Sequence, residues 1–125
     1  MRTRADRRDG RYYLSGEKWF VTSGDVADYL IVHAHVDGDP DKPTLFLVDK
    51  NLPGVRVKRI PKFMHTYLFE HPDFVFENVA LDDGCVLGKV GGGFELTKDW
   101  FVEARLQIAA NCLGAAIRAA EVANK

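Results

Sequence analysis

The stretch Gly16-Glu17-Lys18-Trp19-Phe20-Val21-Thr22-Ser23-Gly24 carries the residue types best suited to hold a small molecule. Read as a strand over Lys18–Thr22, it sends Trp19, Val21 and Ser23 to one face and Phe20 and Thr22 to the other. An aromatic ring two residues from a hydroxyl on one face suits a planar heteroaromatic ligand. The ring covers a face of the ligand, and the hydroxyl bonds a ring heteroatom. Aromatic–threonine alternation is also what ordinary strands contain, so residue type alone leaves both a binding face and plain sheet packing open.

Other chemistry-bearing groups read less specifically. His33 and His35 fall on one face of a strand, which could begin a metal site, but no third ligand stands near them in sequence. His65 and His71 flank Tyr67-Leu68-Phe69. The glycines of Gly88-Lys89-Val90-Gly91-Gly92-Gly93 precede a helix, where free N–H groups attract anions. They match neither the P-loop nor the dinucleotide fingerprint, and a plain strand-to-helix connection accounts for them. Cys85 lies among Asp82, Asp83 and Gly84, whose carboxylates disfavour a thiolate. Cys112 reads as a small hydrophobe on a buried helix face. Two cysteines without paired spacing make neither a disulfide framework nor a zinc site.

The elements that would position these groups divide near Gly91. Before it come short runs rich in Val, Ile, Phe and Tyr, separated by Gly, Pro, Asp and Asn. This pattern predicts strands at about Tyr12–Leu14, Lys18–Thr22, Tyr29–His35, Thr44–Val48, Val55–Arg59, Phe74–Val79 and Val86–Leu87, in a sandwich or small barrel. Ser15-Gly16 reads as a tight turn, Asp37–Pro43 as a polar hairpin loop, and Asn51–Gly54 as another turn. The arginines at the start (Arg2, Arg4, Arg7, Arg8, Arg11) interleave with Asp6 and Asp9 and read as a solvated, frayed terminus without a strand. From Phe94 to Asn124 there is no proline and one glycine, and alanine is dense. That segment reads as one helix of about 45 Å, apolar around much of its circumference. Such a helix needs packing partners, and a small barrel is too short to cover it.

The chain has 125 residues, with 17 basic and 18 acidic side chains and a formal charge of −1. Length fits one ordinary domain, and a hydrophobic fraction of 46% argues against disorder. Near-neutral charge gives no global attraction to nucleic acid or to an anionic membrane. No apolar run reaches bilayer length and no signal peptide is evident, so the expectation is a cytoplasmic protein without nucleic-acid or membrane partners.

Four segments, in order, carry a family resemblance. Tyr12–Gly24, continuing to Ala27-Asp28-Tyr29, resembles the opening of the middle β-domain of acyl-CoA dehydrogenases. Leu45-Phe46-Leu47-Val48-Asp49 with Pro53-Gly54-Val55 is similar to that domain's central hairpin. Phe74–Val79, followed by Val86-Leu87-Gly88 and Gly91–Phe94, is similar to its exit strand and linker. Arg105 with Ile108-Ala109-Ala110 and Leu113-Gly114 resembles the first helix of the C-terminal domain.

The resemblance implies an antiparallel β-barrel-like middle domain over residues 1–90, then a linker and the first helix of a helical domain over 91–125. It implies FAD as cofactor and α,β-dehydrogenation of an acyl-CoA thioester, with hydride passing to the flavin N5. Trp19, Phe20, Val21, Thr22 and Ser23 become cofactor-binding residues, with Phe20 against the flavin ring and Thr22 near N5. Arg105 becomes substrate-binding. The family's catalytic carboxylate lies beyond Lys125, so this chain alone is expected to be an inactive fragment of a homo-oligomeric fatty-acid-metabolism oxidoreductase. Two alternatives stand beside it: a related acyl-CoA oxidase or flavin monooxygenase, and a non-redox β-barrel binding module.

Overall fold

The computed structural model of the chain describes residues 3–64 and 70–124. His65 and Tyr67–Phe69 lie outside the described residues. The chain divides into two compact units, Met1–Gly93 and Phe94–Lys125.

The first unit is a single seven-stranded sheet. Its strands are β1 (Arg4–Arg8), β2 (Arg11–Lys18), β3 (Tyr29–Val36), β4 (Pro43–Asp49), β5 (Val55–Arg59), β6 (Asp73–Leu81) and β7 (Val86–Leu87). They lie in the order β5-β6-β2-β1-β3-β4-β7, antiparallel except for a short parallel pairing of β1 with β3. Alternation decides the inward face: Leu30, Val32, Ala34 and Val36 of β3 and Thr44, Phe46 and Val48 of β4 are buried. Tyr12 of β2 meets Phe46 of β4 edge-on at 5.2 Å between ring centroids, although two strands lie between them. In a flat sheet those strands would stand about 14 Å apart. The sheet is therefore curled over one core, which gives the barrel-like form, with β5 and β7 as its two edges.

Three local expectations are corrected. Residues Arg4–Arg8 form a strand inside the sheet, because Ala5 buries against the core and β1 pairs along its whole length with β2. Asp9-Gly10 supplies the turn, both residues having positive φ as a two-residue hairpin requires. Ser15-Gly16 is not a turn. Gly16 lies within β2 at a register shift against β6, and a Cβ there would stand 2.7 Å from the Thr3 Cα. The glycine serves close backbone approach. Finally, β2 ends at Lys18, so the expected strand over Lys18–Thr22 is not formed.

The second unit is the helix α1 (Gly93–Ala123). Phe94, Leu96, Trp100, Phe101, Val102, Leu106, Ile108, Leu113, Ile117 and Val122 are all exposed on it, which accords with an apolar circumference wider than one stripe. Cys112 is likewise exposed rather than buried. No helix among the described residues is long and apolar enough to cross a membrane.

Candidate functional site

The segment after β2 keeps its neighbour but changes its geometry. Lys18 still pairs with Phe74 in the regular ladder. Phe20 then adopts φ +56, outside the strand region, and Ser23 adopts φ +61. Beyond Phe20 the pairing resumes irregularly: Val21 N–H donates to Pro72 O and Ser23 N–H to Glu70 O, each at 3.0 Å. These two bonds bracket Thr22 and place it opposite His71. Gly24 N–H closes on Val21 O, and Val26 and Ala27 N–H both donate to Ser23 O.

Left-handed backbone at a phenylalanine costs about 1–3 kcal/mol and persists only where neighbours enforce it. Asp73 does so here. Its side chain is 1% exposed; Oδ1 accepts the Phe20 N–H at 3.2 Å and Oδ2 accepts Arg59 Nε at 2.5 Å. The Arg59 hydrogen bond is the main cause that holds the Asp73 carboxyl below the usual carboxylate range. The Phe20 N–H adds to it, and burial opposes it.

The loop presents flat and polar groups together. Trp19 is 62% and Phe20 58% exposed. Because β2 has ended at Lys18 and Phe20 is left-handed, strand alternation no longer sets where the two rings point. The Trp19 indole N–H donates to Glu17 Oε2 at 3.2 Å, and Lys58 Nζ holds both Glu17 oxygens at 2.8 and 2.9 Å. Glu17 is shifted down by Lys58 first and Trp19 second. The Phe20 ring packs on Phe63 (5.8 Å), and Phe63 packs on the His71 imidazole (6.1 Å). His71 Nδ1 lies 3.1 Å from the exposed Thr22 Oγ1.

Sequence reading found Trp19 through Ser23 but missed Asp73 and Phe63, and it named His71 only beside His65, not with Thr22. They lie more than 40 residues away, and only the β2–β6 pairing brings them to the loop. Val21 and Ser23 have their backbone N–H groups engaged by Pro72 and Glu70 and their C=O groups by the residues that follow, Gly24, Val26 and Ala27. The exposed rings of Trp19 and Phe20, the exposed Thr22 and the half-buried Ser23 fit a planar ring with polar edge atoms better than a metal. Among the described residues, no group of three or more His, Cys, Asp or Glu gathers as metal ligands.

The other candidates resolve individually. His33 and His35 do share a face, their rings stacked at 6.3 Å. Lys18 Nζ donates to His33 O at 2.6 Å, and burial lowers the Lys18 pKa to about 8. The glycine-rich stretch lies on the sheet, with Gly91 N–H donating to Thr44 Oγ1 at 2.9 Å. Cys85 Sγ lies 3.5 Å from Asp82 Oδ1; burial first, and this carboxylate with it, raise its pKa. Arg105 belongs to α1, where its guanidinium lies 5.6 Å from the centre of the Phe101 ring.

Comparison with known proteins bears on the same residues. Residues 1–79 match the family model "Acyl-CoA dehydrogenase, middle domain". A probable acyl-CoA dehydrogenase from Mycobacterium abscessus is 32% identical, with a TM-score of 0.82 over 87% of this chain and 29% of that one. An acyl-CoA dehydrogenase complexed with FAD from Bacillus anthracis is 27% identical, with a TM-score of 0.72 over 78% of this chain and 17% of that one. Butyryl-CoA dehydrogenase from Megasphaera elsdenii is 29% identical, with a TM-score of 0.70 over 75% of this chain and 25% of that one. The chain thus spans less than a third of the length of each. The four ordered segments, the curled sheet and the matched residues lead to one assignment: the chain belongs to the acyl-CoA dehydrogenase family, which it matches through the middle domain.

Proposed function

We propose that this chain is the middle domain and first C-terminal helix of an FAD-dependent oxidoreductase that dehydrogenates acyl-CoA thioesters between the α and β carbons. Domain limits near residues 1–90 and 91–125, a cytoplasmic homo-oligomer, and an inactive isolated fragment are parts of the same reading. The observation that carries it is the loop Trp19–Ser23, presenting exposed aromatic faces beside a hydroxyl in a chain of this family. A solved relative that holds FAD supports the cofactor.

FAD, when bound, supplies the hydride acceptor. The chain's own residues bind and orient it. Phe20 and Trp19 offer apolar faces to a planar ring, Thr22 and Ser23 offer hydroxyls to its polar edge, and Asp73 fixes the backbone that carries them. Arg105 on α1 is the proposed cation for the thioester side, and the catalytic base lies outside this chain.

FAD titration of the protein expressed from its full reading frame tests the proposal. Phe20→Ala and Thr22→Val are each expected to weaken FAD binding about tenfold, the equivalent of one good contact. Unchanged affinity and an unchanged flavin spectrum in both variants would remove the loop from the cofactor site.

A further inference from the structure

We propose that His71 is a positioning residue for the Thr22 hydroxyl, setting whether that hydroxyl donates to or accepts from the group opposite it. The inference rests on the reading that Thr22 faces the cofactor, and concerns a residue to which that reading gave no role.

The geometry is built from backbone as well as side chains. Val21 N–H to Pro72 O and Ser23 N–H to Glu70 O, both 3.0 Å, clamp the chain on either side of the pair. Thr22 and His71 therefore stand opposite each other on two adjacent, hydrogen-bonded segments, and their contact does not depend on one long flexible rotamer. Phe63 lies against the imidazole at an interplanar angle of 56° and itself leans on Phe20. The ring is held from the side while Nδ1 stays 3.1 Å from Thr22 Oγ1.

A hydroxyl has one proton to give and two lone pairs to accept with. When Nδ1 carries hydrogen, it donates to Thr22, whose own proton is then free to point outward at a bare ring nitrogen. When Nδ1 is bare, Thr22 donates to it and turns lone pairs outward to receive an N–H. One histidine tautomer thus suits a ligand nitrogen without hydrogen and the other suits the same nitrogen with it. A heteroaromatic cofactor whose ring nitrogen gains a hydrogen on reduction meets a matched partner in both states. A threonine without such a neighbour would have its proton oriented by solvent.

The test uses two readouts. In the 125-residue chain without added ligand, the His71 ring ¹⁵N shifts should move when Thr22 becomes Val; an unmoved Nδ1 resonance would overturn the contact. In the protein from the full reading frame, titrated with FAD, His71→Phe keeps a ring against Phe63 but removes Nδ1. It should shift the flavin absorbance and weaken FAD about tenfold. His71→Asn, whose amide can stand near the Nδ1 position, should restore most of the loss. The His71→Phe/Thr22→Val double variant should be no worse than either single one, because the two act as a unit. If Thr22→Val weakens FAD while His71→Phe does not, the role of His71 falls and the flavin reading survives. If Thr22→Val is silent, the flavin-facing assignment falls and takes this proposal with it.

Discussion

The sheet unit and α1 use similar apolar residues to opposite ends. In the sheet, Tyr12, Leu14, Phe46, Val48, Phe74, Phe76, Val79 and Leu81 bury into one cluster. In α1, Trp100, Phe101, Leu106, Ile108, Leu113 and Ile117 remain exposed, and Gly93 alone among its described residues is buried with Gly92 just before it. The difference follows from shape. A curled sheet brings distant strands together, so alternation along each strand adds up to a closed interior. A single helix carries its apolar groups outward around its axis and cannot cover them itself. Hydrophobic content alone is therefore a poor guide to which half of this chain supplies its stability.

Substitutions in the two units should separate accordingly. The largest loss is expected for Phe46→Ala, which opens the core beside Tyr12 and should cost about 3–5 kcal/mol in denaturant unfolding of the chain. A loss below about 1 kcal/mol would show that the sheet is not the stabilising unit. Gly16→Ala should cost about 1–3 kcal/mol, since its φ is +143 and the new Cβ would meet the Thr3 backbone. Amide exchange should then quicken in β1 and β2 while α1 is unaffected.

A smaller, pH-dependent effect belongs to Lys18. Burial lowers its folded pKa from 10.5 to about 8, so the unfolded chain binds more protons between those values. Stability should rise as pH increases from about 8 toward 10.5 and be indifferent to Lys18 below that window. The Lys18→Met variant should lose this portion of the slope; an unchanged profile would contradict the burial of the amine. The smallest effect is expected for Ile117→Ala on exposed α1, within about 0.5 kcal/mol. A loss above about 2 kcal/mol would mean that α1 is covered in solution and would break the contrast.

The core and the motif differ in how far the sequence revealed them. Six of the seven expected strands fall within elements that form; Tyr29–Val36 and Pro43–Asp49, for example, alternate cleanly and are bounded by Asp37-Gly38 and Asn51–Gly54. The missed strand β1 had a legible signal in Asp9-Gly10, but the flanking arginines suggested solvent. In fact Arg7 and Arg8 lie over the Tyr12 and Tyr13 rings of the neighbouring strand while Ala5 packs inward. Arg4, Asp6 and Arg8 alternate with Ala5, so charge on their face says nothing against burial of the other, and Arg7, on the face of Ala5, is exposed near the end of the strand. The Trp19–Ser23 motif was legible as residue types, but its shape was not: alternation implied a strand where Asp73 and the Glu70–Pro72 backbone instead hold a left-handed turn.

Local sequence determined what depends on near neighbours: the alternating strands, the polar turns, the long proline-free helix, and the family likeness carried by short ordered segments. Tertiary structure alone decided that Asp73 grips the Phe20 amide, that His71 stands against Thr22, and that β1 inserts between β2 and β3. The first two contacts join residues 53 and 49 positions apart, and β1 meets β3 across 31 positions, Arg4 opposite His35. Side-chain type fixes which contacts are favourable, but only the curl and register of the whole sheet fix which of them can be made.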